Sequence, residues 1–510
     1  MTGAGVPSAV DWPTKDLLAI RAGTTPERTA LVDADTGEEW AVHELDAAVD
    51  TMTQHIESYT ADAGSGDGGR IGVLLDTRPE YVMLLFAAMR RGVTLVPLNV
   101  RNSADELTVA ASRADLGLLV CESETEVLAR SVAPADCPVA SVDDPEDDAV
   151  EPLSGGDAYA RPSRLTRDTE TLLMFTSGTT GRPKGVRLTL GNLVASATAS
   201  AFRLGITRRD RWLVCLPMYH MGGLAPVVRS MLYGTTAVVQ SAFDPESIAR
   251  VIDEHQITGV SLVPTMLRRL LDDGWSPPEH LRFVLLGGAA ASRELLDRAL
   301  AAGVPVFPTY GMTEASSQIA TATPEQVAEF PDTVGQPLVN TQVRVLAADG
   351  SHCDVGETGE LVVSGPTVTP GYLDDEHTDA AFSEHGFHTG DLGHRDVDGR
   401  LWVTGRADDR IVSGGENVDP ELVASAIRDH PKVGDVAVVG LADAEWGERV
   451  AALVVPTAGE AELSEETVRV WCRERLADYE VPKTVRFARE LPRTASGTID
   501  REAVRERLGD

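Results

Sequence analysis

A stretch rich in hydroxyl groups, glycine and positive charge is the part of this sequence best suited to bind an anion. It reads TSGTTGRPKG and covers residues 176 to 185. Hydroxyl side chains and glycines alternate along it, at Thr176, Ser177, Gly178, Thr179, Thr180 and Gly181. Because glycine leaves the backbone bare, its N–H groups can approach an anion closely. Arg182 and Lys184 add positive charge, so the chemistry indicated is the binding of phosphate groups.

The residues before this stretch predict where it lies. TLLMF, residues 171 to 175, is a short apolar run typical of a buried strand. The stretch should therefore leave the end of a sheet, where phosphate-binding loops of α/β proteins lie. The alternative is a flexible Ser/Thr/Gly linker on the surface. Such a linker does not usually follow a buried strand or carry two cations, so we favour a nucleotide-binding loop.

A P-loop is the nearest alternative pattern for such a loop, and the spacing excludes it. A P-loop needs four residues between its glycines and a Lys-Ser or Lys-Thr pair that opens a helix and holds magnesium. Here two residues separate Gly178 from Gly181, and Lys184 is followed by Gly185. The phosphate-binding loop is therefore of another type.

Strands and helices alternate on both sides of the loop, the pattern of a parallel, doubly wound α/β sheet. Before it, the predicted strands are 71–75, 94–99 and 116–121, and the predicted helices are 79–92 and 103–114. After it, the predicted strands are 211–217, 236–240, 259–264 and 283–286, and the predicted helices are 223–234, 244–255, 265–272 and 292–302. The sequence thus predicts a large α/β domain around the loop.

The pattern changes toward the C-terminus. Around Val343, strand-like runs with tight turns, such as TGELVVSG and GRLWVTG, predict a small β-rich subdomain. The charged segment GRADDR, residues 405 to 410, precedes an α+β piece of about 100 residues. We place a domain boundary there, which gives a large domain over 1–407 and a small C-terminal domain over 408–510.

The overall charge is extreme. The chain has 510 residues and a formal net charge of −34, with only four lysines against 41 arginines. An acidic surface poor in lysine is not the Lys/Glu enrichment of hyperthermophiles. It favours a protein that works in concentrated salt, where a Debye length of roughly 3 Å at 1 M screens the self-repulsion. The alternative is an acidic protein of ordinary conditions, and unfolding at low and at molar KCl distinguishes the two.

The same composition bears on partners and location. An acidic surface argues against nucleic acid or an anionic membrane as partner. The five cysteines have no close paired spacing, so neither a disulfide framework nor a zinc site is indicated. No signal segment or apolar run of membrane-spanning length is evident. We expect a soluble cytoplasmic protein that binds small molecules, with homo-oligomers left open.

TSGTTGRPKG resembles the phosphate-binding signature of the adenylate-forming superfamily, which includes acyl-CoA synthetases, luciferases and peptide-synthetase adenylation domains. The second signature of that superfamily, YGMTE, is matched by Tyr310, Gly311, Met312, Thr313 and Glu314. The resemblance implies that Tyr310 stacks on adenine, Thr313 bonds a phosphate and Glu314 holds magnesium. The physical chemistry agrees, because magnesium takes carboxylate and phosphate oxygens and one protein carboxylate suffices when a nucleotide supplies the others.

Further residues are carried over from the same resemblance. GGA after a predicted strand resembles the adenine-side loop and contributes Gly288 and Ala289. GFHTGDLG resembles a third signature, whose Asp391 is suited to hold both ribose hydroxyls because a carboxylate accepts two hydrogen bonds at once. Arg406 is expected to join it on the ribose or a phosphate. Asp408 is expected to be the hinge about which a mobile C-terminal domain rotates between adenylation and thioester formation.

The implied activity is ATP-dependent ligation of a carboxylic acid to coenzyme A through an acyl-adenylate, with magnesium. The residues implied as catalytic are Thr176, Lys184, His220, Thr313 and Glu314. One position departs from the family pattern, because LPRTASGTIDR carries Thr498 where a lysine normally bridges the acid and the α-phosphate. Either adenylation is slow, or another cation such as Arg493 or Arg501 substitutes. We expect a site rebuilt around threonine, since the other signatures are intact.

The acid is indicated by LPMYHMGGLAPVVRSMLYG, which is apolar except for His220 and Arg229. An arginine in an apolar helix requires a reason: it holds a second carboxylate of the substrate, or it pairs with another helix. This segment and YGMTEASSQIATATPE resemble ligases of an aromatic dicarboxylic acid, which implies that His220, Arg229, Ser316 and Gln318 contact substrate. The alternatives are an acyl- or aryl-CoA ligase for another acid, and a non-catalytic adenylate-binding protein.

Overall fold

The chain forms two units, which are described separately. The computed structural model describes residues 12–60, 69–153, 162–176, 183–407, 411–413, 416–443, 446–457, 463–494 and 499–509. The first unit is Met1–Gln342 with Val363–Phe387, and the second is Val343–Val362 with His388–Asp510. None of the described helices has the length and apolar character needed to cross a membrane.

The described part of the chain is a mixed α/β protein. In chain order the helices are α1 (Leu17–Ala22), α2 (Val42–Thr60), α3 (Pro79–Arg91), α4 (Ala104–Ala114), α5 (Glu126–Val132), α6 (Leu190–Leu204), α7 (Met221–Tyr233), α8 (Pro245–Glu254), α9 (Pro264–Asp272), α10 (Arg293–Ala301), α11 (Pro324–Glu329), α12 (Asp375–Ala381), α13 (Pro420–Arg428), α14 (Glu465–Arg473) and α15 (Arg501–Gly509).

The strands of the first half of the chain, in order, are β1 (Thr29–Asp33), β2 (Glu39–Ala41), β3 (Arg70–Leu74), β4 (Thr94–Pro97), β5 (Leu116–Cys121), β6 (Val139–Ser141), β7 (Glu151–Pro152), β8 (Glu170–Thr176), β9 (Lys184–Thr189), β10 (Arg211–Val214), β11 (Thr236–Val239) and β12 (Gly259–Leu262). Those of the second half are β13 (Phe283–Leu286), β14 (Val306–Tyr310), β15 (Ala320–Thr321), β16 (Gln336–Pro337), β17 (Gln342–Leu346), β18 (Gly359–Ser364), β19 (Gly371–Tyr372), β20 (Phe382–Ser383), β21 (Gly386–Arg395), β22 (Leu401–Arg406), β23 (Ile411–Ser413), β24 (Glu416–Val418), β25 (Val433–Asp443), β26 (Gly447–Pro456) and β27 (Thr484–Phe487).

Two large sheets make up the first unit. One has the strand order β16-β15-β14-β13-β12-β10-β11-β1-β2, and the other has the order β19-β9-β8-β4-β3-β5-β6-β7. The central strands of both sheets pair in parallel, for example β12 with β13 and β3 with β4. Antiparallel pairs lie toward one end of the second sheet, where β9 runs against β8 and β19 against β9. Helices connect most of the consecutive parallel strands, as is usual for crossovers between parallel strands.

The main core of the first unit lies between these two sheets. It joins Ile71 and Val73 of one sheet to Val214 and Val239 of the other through α2, α3 and α7. Helix α3 is buried on nearly every side, from Tyr81 to Arg90, which explains why its sequence is apolar without a polar stripe. Because α3 and α7 are buried and largely apolar, the polar residues discussed below lie mainly at the ends of strands.

The second unit has two smaller sheets. Strands β17, β18, β21 and β22 belong to one of them, and the other has the order β24-β23-β26-β25 with β27 on β26. The second sheet is dominated by a long antiparallel hairpin of β25 and β26. Its two faces carry separate apolar clusters, one with α13 and α14 and one with α15. This sheet with its helices is the α+β piece that the sequence predicts.

The predicted architecture is confirmed, because strands and helices alternate and most strand pairs in the two large sheets are parallel. The predicted strands and helices on both sides of the phosphate loop are present to within a few residues, except that the strand predicted at 211–217 ends at Val214. Strand β26 and helix α6 were not predicted. The predicted division at 407/408 stays a prediction.

Candidate functional site

The two ends of the phosphate loop are held by strand pairing. Thr176 ends β8 and Lys184 begins β9, and these two residues are direct partners across the antiparallel pair. The Thr176 hydroxyl donates to the Lys184 carbonyl oxygen at 3.4 Å. The guanidinium of Arg113, in the last turn of α4, donates to the Pro183 carbonyl oxygen at the exit of the loop. The sequence prediction that the loop leaves the end of a sheet is therefore confirmed at both of its ends.

Glu314 lies in a turn that folds back sharply on itself. It sits in a 3₁₀ turn over Thr313–Ala315, after the end of β14. A Cβ atom on Gly311 would come within 1.6 Å of the Ser317 carbonyl oxygen, so only glycine permits this close approach. The backbone carbonyl of Glu314 accepts a hydrogen bond from the Thr369 N–H at 2.7 Å. The turn is thus fixed both internally and by a neighbouring segment.

One tyrosine joins the lysine of the loop to the glutamate of the turn. Tyr372 is 4% exposed, and its hydroxyl donates to Glu314 Oε1 at 2.9 Å. The Lys184 ammonium nitrogen lies 5.5 Å from the centroid of the same ring, within the range of a cation–π contact. The structure therefore brings together Lys184 and Glu314, although the two residues come from different sheets.

The predicted adenine-side residues follow neighbouring strands. β13 pairs in parallel with β14, with Leu286 opposite Pro308, so Gly288 and Tyr310 leave the same edge of the sheet. Gly288 has a φ of +80°. Ala289 is exposed and Tyr310 is half-buried, as is Met312 two residues later.

Asp391 and Arg406 lie in the second unit, on paired strands. They are direct partners between β21 and β22, and Arg406 Nη1 lies 3.5 Å from Asp391 Oδ1. Asp391 is buried, and its N–H donates to the Thr389 hydroxyl at 3.0 Å. The prediction that these two side chains act together is consistent with this pairing, and their role toward ribose stays a prediction.

His220 marks the start of α7, where it is the residue that precedes the first helical turn. Loss of solvent lowers the pKa of His220 to about 4, with a smaller contribution from the positive charge of Arg101. Its Nε2 atom has no hydrogen-bond partner among the described residues. The imidazole is therefore neutral at neutral pH and keeps one ring nitrogen available for a ligand.

Arg229 is buried in the middle of α7. It is 1% exposed, and its guanidinium carbon lies 5.5 Å from the centroid of the Trp212 ring. Within the described part of the chain, its Nε and Nη2 atoms have no hydrogen-bond partner and no carboxylate pairs with it. Burial lowers the pKa of Arg229, yet an arginine stays protonated in proteins. The helix thus carries a buried cation with unused N–H groups.

Ser316 and Gln318 are both fully buried. The Ser316 hydroxyl donates to the Thr367 carbonyl oxygen at 2.8 Å, and its own carbonyl accepts from Ser196 of α6 at 2.7 Å. The Gln318 amide donates to the Thr321 hydroxyl at 2.8 Å, while Oε1 of Gln318 has no partner among the described residues. Gln318 therefore offers a free acceptor, and the Ser316 hydroxyl is already in use.

Several predicted residues lie outside the described residues. In the phosphate loop they are Ser177, Gly178, Thr179, Thr180 and Gly181, and farther along the chain they are Asp408 and Thr498. Of the two cations nearest Thr498 in sequence, Arg493 pairs with Asp435 at 2.8 Å, and Arg501 begins α15.

Sequence reasoning missed Tyr372 and Arg113. Arg113 contacts both ends of the loop, through Pro183 and the Phe175 ring. Tyr372 lies 58 residues after Glu314, and no spacing rule connects the two. The sequence signal for Tyr372 is the turn-rich segment before it. That segment indicates that the chain changes direction, but it does not indicate which residues the chain then contacts.

These features are typical of an α/β protein that binds a nucleotide and activates a carboxylic acid. The chain belongs to the AMP-binding enzyme family. The model of that family matches residues 18–373, and the model of the AMP-binding enzyme C-terminal domain matches residues 422–498. The expected large α/β domain followed by a small C-terminal domain is thereby confirmed.

Within the family, the chain is similar to proteins whose names describe the same activity. The chain is 38% identical to the 2-succinylbenzoate–CoA ligase of Bacillus velezensis over 96% of this chain and 97% of that one. It resembles the o-succinylbenzoate CoA synthetase of Bacillus subtilis in complex with its acyl-adenylate intermediate, with a TM-score of 0.87, 34% identity and coverage of 97% and 98% of the two chains. The same synthetase with ATP and a magnesium ion gives a TM-score of 0.86 at 34% identity, covering 97% and 99%.

Proposed function

We propose that this protein joins 2-succinylbenzoate to coenzyme A in menaquinone biosynthesis, using ATP and passing through an acyl-adenylate. A carboxylate is a poor electrophile, so it must first acquire a leaving group. One carboxylate oxygen of the acid attacks the α-phosphorus of ATP, and pyrophosphate leaves. The thiol of coenzyme A then attacks the carbonyl carbon of the adenylate and AMP leaves, so the products are the thioester, AMP and pyrophosphate.

The residues proposed for the triphosphate are the loop and its flanking cation. Thr176 and Lys184 are at the two ends of the loop, and the lysine would offset charge on the phosphates as it redistributes. Thr313 would donate its hydroxyl to a phosphate. The loop residues proposed for the same role are Ser177, Gly178, Thr179, Thr180 and Gly181.

Glu314 is the residue proposed to hold magnesium. Tyr372 donates to Oε1 of Glu314, which leaves Oε2 and the second lone pair of Oε1 for a metal. Magnesium is usually bound by one or two carboxylates together with substrate phosphates, so this donor set fits it. When bound, the ion neutralises charge on the phosphates of ATP.

The adenine and the ribose of the nucleotide have further proposed partners. Gly288, Ala289, Tyr310, Gly311 and Met312 are proposed for adenine. Asp391 and Arg406 are proposed for the ribose, because a carboxylate can accept two hydrogen bonds at once and Arg406 Nη1 lies 3.5 Å from Asp391 Oδ1. Asp408 is proposed as the hinge of the C-terminal domain, with the boundary at 407/408.

The observation that supports 2-succinylbenzoate as the acid is the burial of Arg229 without hydrogen-bond partners for two of its nitrogen atoms. A buried guanidinium with two nitrogen atoms that lack partners among the described residues is destabilising for the free protein. A second carboxylate on the substrate would satisfy those groups in a bidentate pair, and the Trp212 ring beside them suits an aromatic acid. Ser316 and Gln318 are proposed to line the same region, with the neutral imidazole of His220 at the start of the helix.

A panel of acids tests this proposal. Pyrophosphate release should be fastest with 2-succinylbenzoate, and slower by roughly a hundredfold or more with 4-oxo-4-phenylbutanoate, which lacks the ring carboxylate. Preference for a monocarboxylate would instead indicate a general acyl- or aryl-CoA ligase. No release with any acid, together with binding of an acyl-adenylate mimic, would indicate a non-catalytic adenylate-binding protein.

We also propose that the site has been rebuilt around Thr498, which replaces the usual lysine. If so, Thr498→Lys should change the rate of ATP–pyrophosphate exchange by less than about tenfold. Loss of one preorganised donor typically costs roughly 10²–10³ in rate. A gain of two orders of magnitude would therefore show that the natural site is impaired.

The composition supports two further proposals about the working environment. With a net charge of −34, the protein should be more stable in molar KCl than in dilute buffer, because salt screens its self-repulsion. Urea unfolding at both salt concentrations measures this, and equal midpoints would remove the proposal of salt adaptation. We further propose a cytoplasmic location.

A further inference from the structure

We infer that Tyr372 is a positioning residue for the metal-binding carboxylate: its hydroxyl orients Glu314 and its ring keeps Lys184 from pairing with that carboxylate. The inference rests on the proposed function, since it concerns the binding of ATP with magnesium. It starts from the two contacts of one buried side chain. The hydroxyl donates to Glu314 Oε1 at 2.9 Å, and the Lys184 nitrogen lies 5.5 Å from the ring centroid.

The backbone of Tyr372 is fixed to the strand that carries Lys184. β19 pairs with β9, with Tyr372 opposite Val186, and the Leu373 N–H donates to the Gly185 carbonyl at 2.7 Å. The ring is therefore held at a set distance from the exit of the phosphate loop. A side chain fixed in this way can orient a neighbour without losing much conformational freedom itself.

The segment before Tyr372 also holds the backbone of Glu314. The Thr369 N–H donates to the Glu314 carbonyl oxygen at 2.7 Å, and the Thr369 hydroxyl donates to the Arg187 carbonyl oxygen of β9 at 2.5 Å. The main chain and the side chain of Glu314 are thus both bound by residues 369–372. These two hydrogen bonds together set the direction of the carboxylate. Hydrogen-bond partners of metal ligands commonly have this effect.

The same side chain contacts two groups of opposite charge. Lys184 and Glu314 would attract each other, yet no ion pair joins them in the described structure. A direct pair would occupy both groups before ATP and magnesium arrive, and it would have to break on binding. With each group in contact with the tyrosine instead, the ammonium group stays available for phosphate and one carboxylate oxygen stays available for metal. Preorganised charges of this kind need no rearrangement when the ligand binds.

Calorimetry of ATP binding separates the two tasks of the side chain. The dissociation constant of ATP is measured with saturating magnesium and again in EDTA, without an acid substrate. In Tyr372→Phe the hydroxyl is lost and the ring is kept. We expect the constant for MgATP to rise roughly tenfold to a hundredfold, the usual effect of removing a partner of a metal ligand. The constant in EDTA should stay within twofold.

Two further variants sharpen the measurement. Tyr372→Leu also removes the ring, so binding in EDTA should weaken roughly twofold to fivefold as the lysine loses its place. In a Glu314→Gln background, adding Tyr372→Phe should leave MgATP affinity unchanged, because the group that it orients is gone. Tyr59→Phe is the matched control: it deletes a tyrosine hydroxyl that donates to a carboxylate, Glu151 on β7, at the opposite end of the same sheet.

The outcomes are distinct. Equal MgATP affinity in wild type and Tyr372→Phe would overturn the inference alone, as would equal weakening with and without magnesium. A Tyr372→Phe variant too unstable to bind, beside a stable Tyr59→Phe, would assign the tyrosine a structural role and also overturn it. A wild-type protein that does not bind MgATP at all would overturn the proposed function as well.

Discussion

The two regions of the first unit that carry the proposed site differ in how far the protein satisfies its own charges. The Glu314 carboxylate accepts a hydrogen bond from the Tyr372 hydroxyl, and the ammonium group of Lys184 lies over the ring of the same tyrosine. Around Arg229, a buried guanidinium has two nitrogen atoms with no hydrogen-bond partner in the described part of the chain. Its carbon atom lies 5.5 Å from the centroid of the Trp212 ring.

The difference separates shared chemistry from selectivity. Charges that the protein already orients can act on any substrate without rearrangement, which suits the ATP-dependent step common to the family. A buried charge without partners is costly for the free protein and is best explained by a ligand that completes it. The proposed function therefore predicts that the Glu314 region governs the rate and that the Arg229 region governs the choice of acid.

The largest effect is expected from Glu314→Gln, which removes the charge of the proposed metal-binding carboxylate. ATP–pyrophosphate exchange should fall by roughly 10²–10³, and by the same factor for every acid that the enzyme accepts. Glu325→Gln, an exposed glutamate in the first turn of α11, should change the rate less than twofold. A loss that differed from one acid to another would show that Glu314 also affects the choice of acid, and would contradict the proposed difference between the two regions.

His220 should make folding sensitive to acid. Its pKa is about 4 when folded, against 6.5 for an ordinary histidine, so between these values the unfolded state binds more protons. Stability should therefore fall as the pH drops from 6.5 to 4, by about 3 kcal/mol from this group. Urea unfolding of wild type and His220→Gln across this range measures it. Parallel curves for the two proteins would show that the imidazole is not buried neutral.

A smaller effect of unusual sign is expected from Arg229→Met. Removal of a buried cation without partners should stabilise the ligand-free protein, by roughly 1–3 kcal/mol. The matched control is Arg282→Met, because Arg282 pairs at 2.5 Å with Asp210, whose side chain is 4% exposed. That change leaves a buried carboxylate unpaired and should destabilise the protein. Destabilisation by both variants would mean that Arg229 is satisfied in the free protein.

Much of the nucleotide side could be predicted from sequence because its residues are local. The ends of the phosphate loop and the YGMTE turn each follow a buried strand, and short apolar runs fix where such strands end. The structure adds the reason for the glycine at position 311, since the turn brings the Ser317 carbonyl too close for a Cβ atom.

The links between those local pieces could not be predicted. Tyr372 reaches Glu314 only because β19 pairs with β9 and because the two large sheets share a core. Nor does residue type reveal whether Arg229 pairs with another helix, since that depends on what surrounds it after folding. The burial of Arg229 and its two nitrogen atoms without partners among the described residues argue against an ion pair with another helix. Its contact with the substrate stays a proposal.

The most direct test compares two acids in two proteins. The ratio of kcat/KM for 2-succinylbenzoate to that for 4-oxo-4-phenylbutanoate is measured in wild type and in Arg229→Met. We predict a ratio of roughly a hundred or more in wild type, falling to within about threefold of unity in the variant, with the rate on the monocarboxylate little changed. A variant that keeps the wild-type preference would show that Arg229 does not receive the second carboxylate, and would contradict the account.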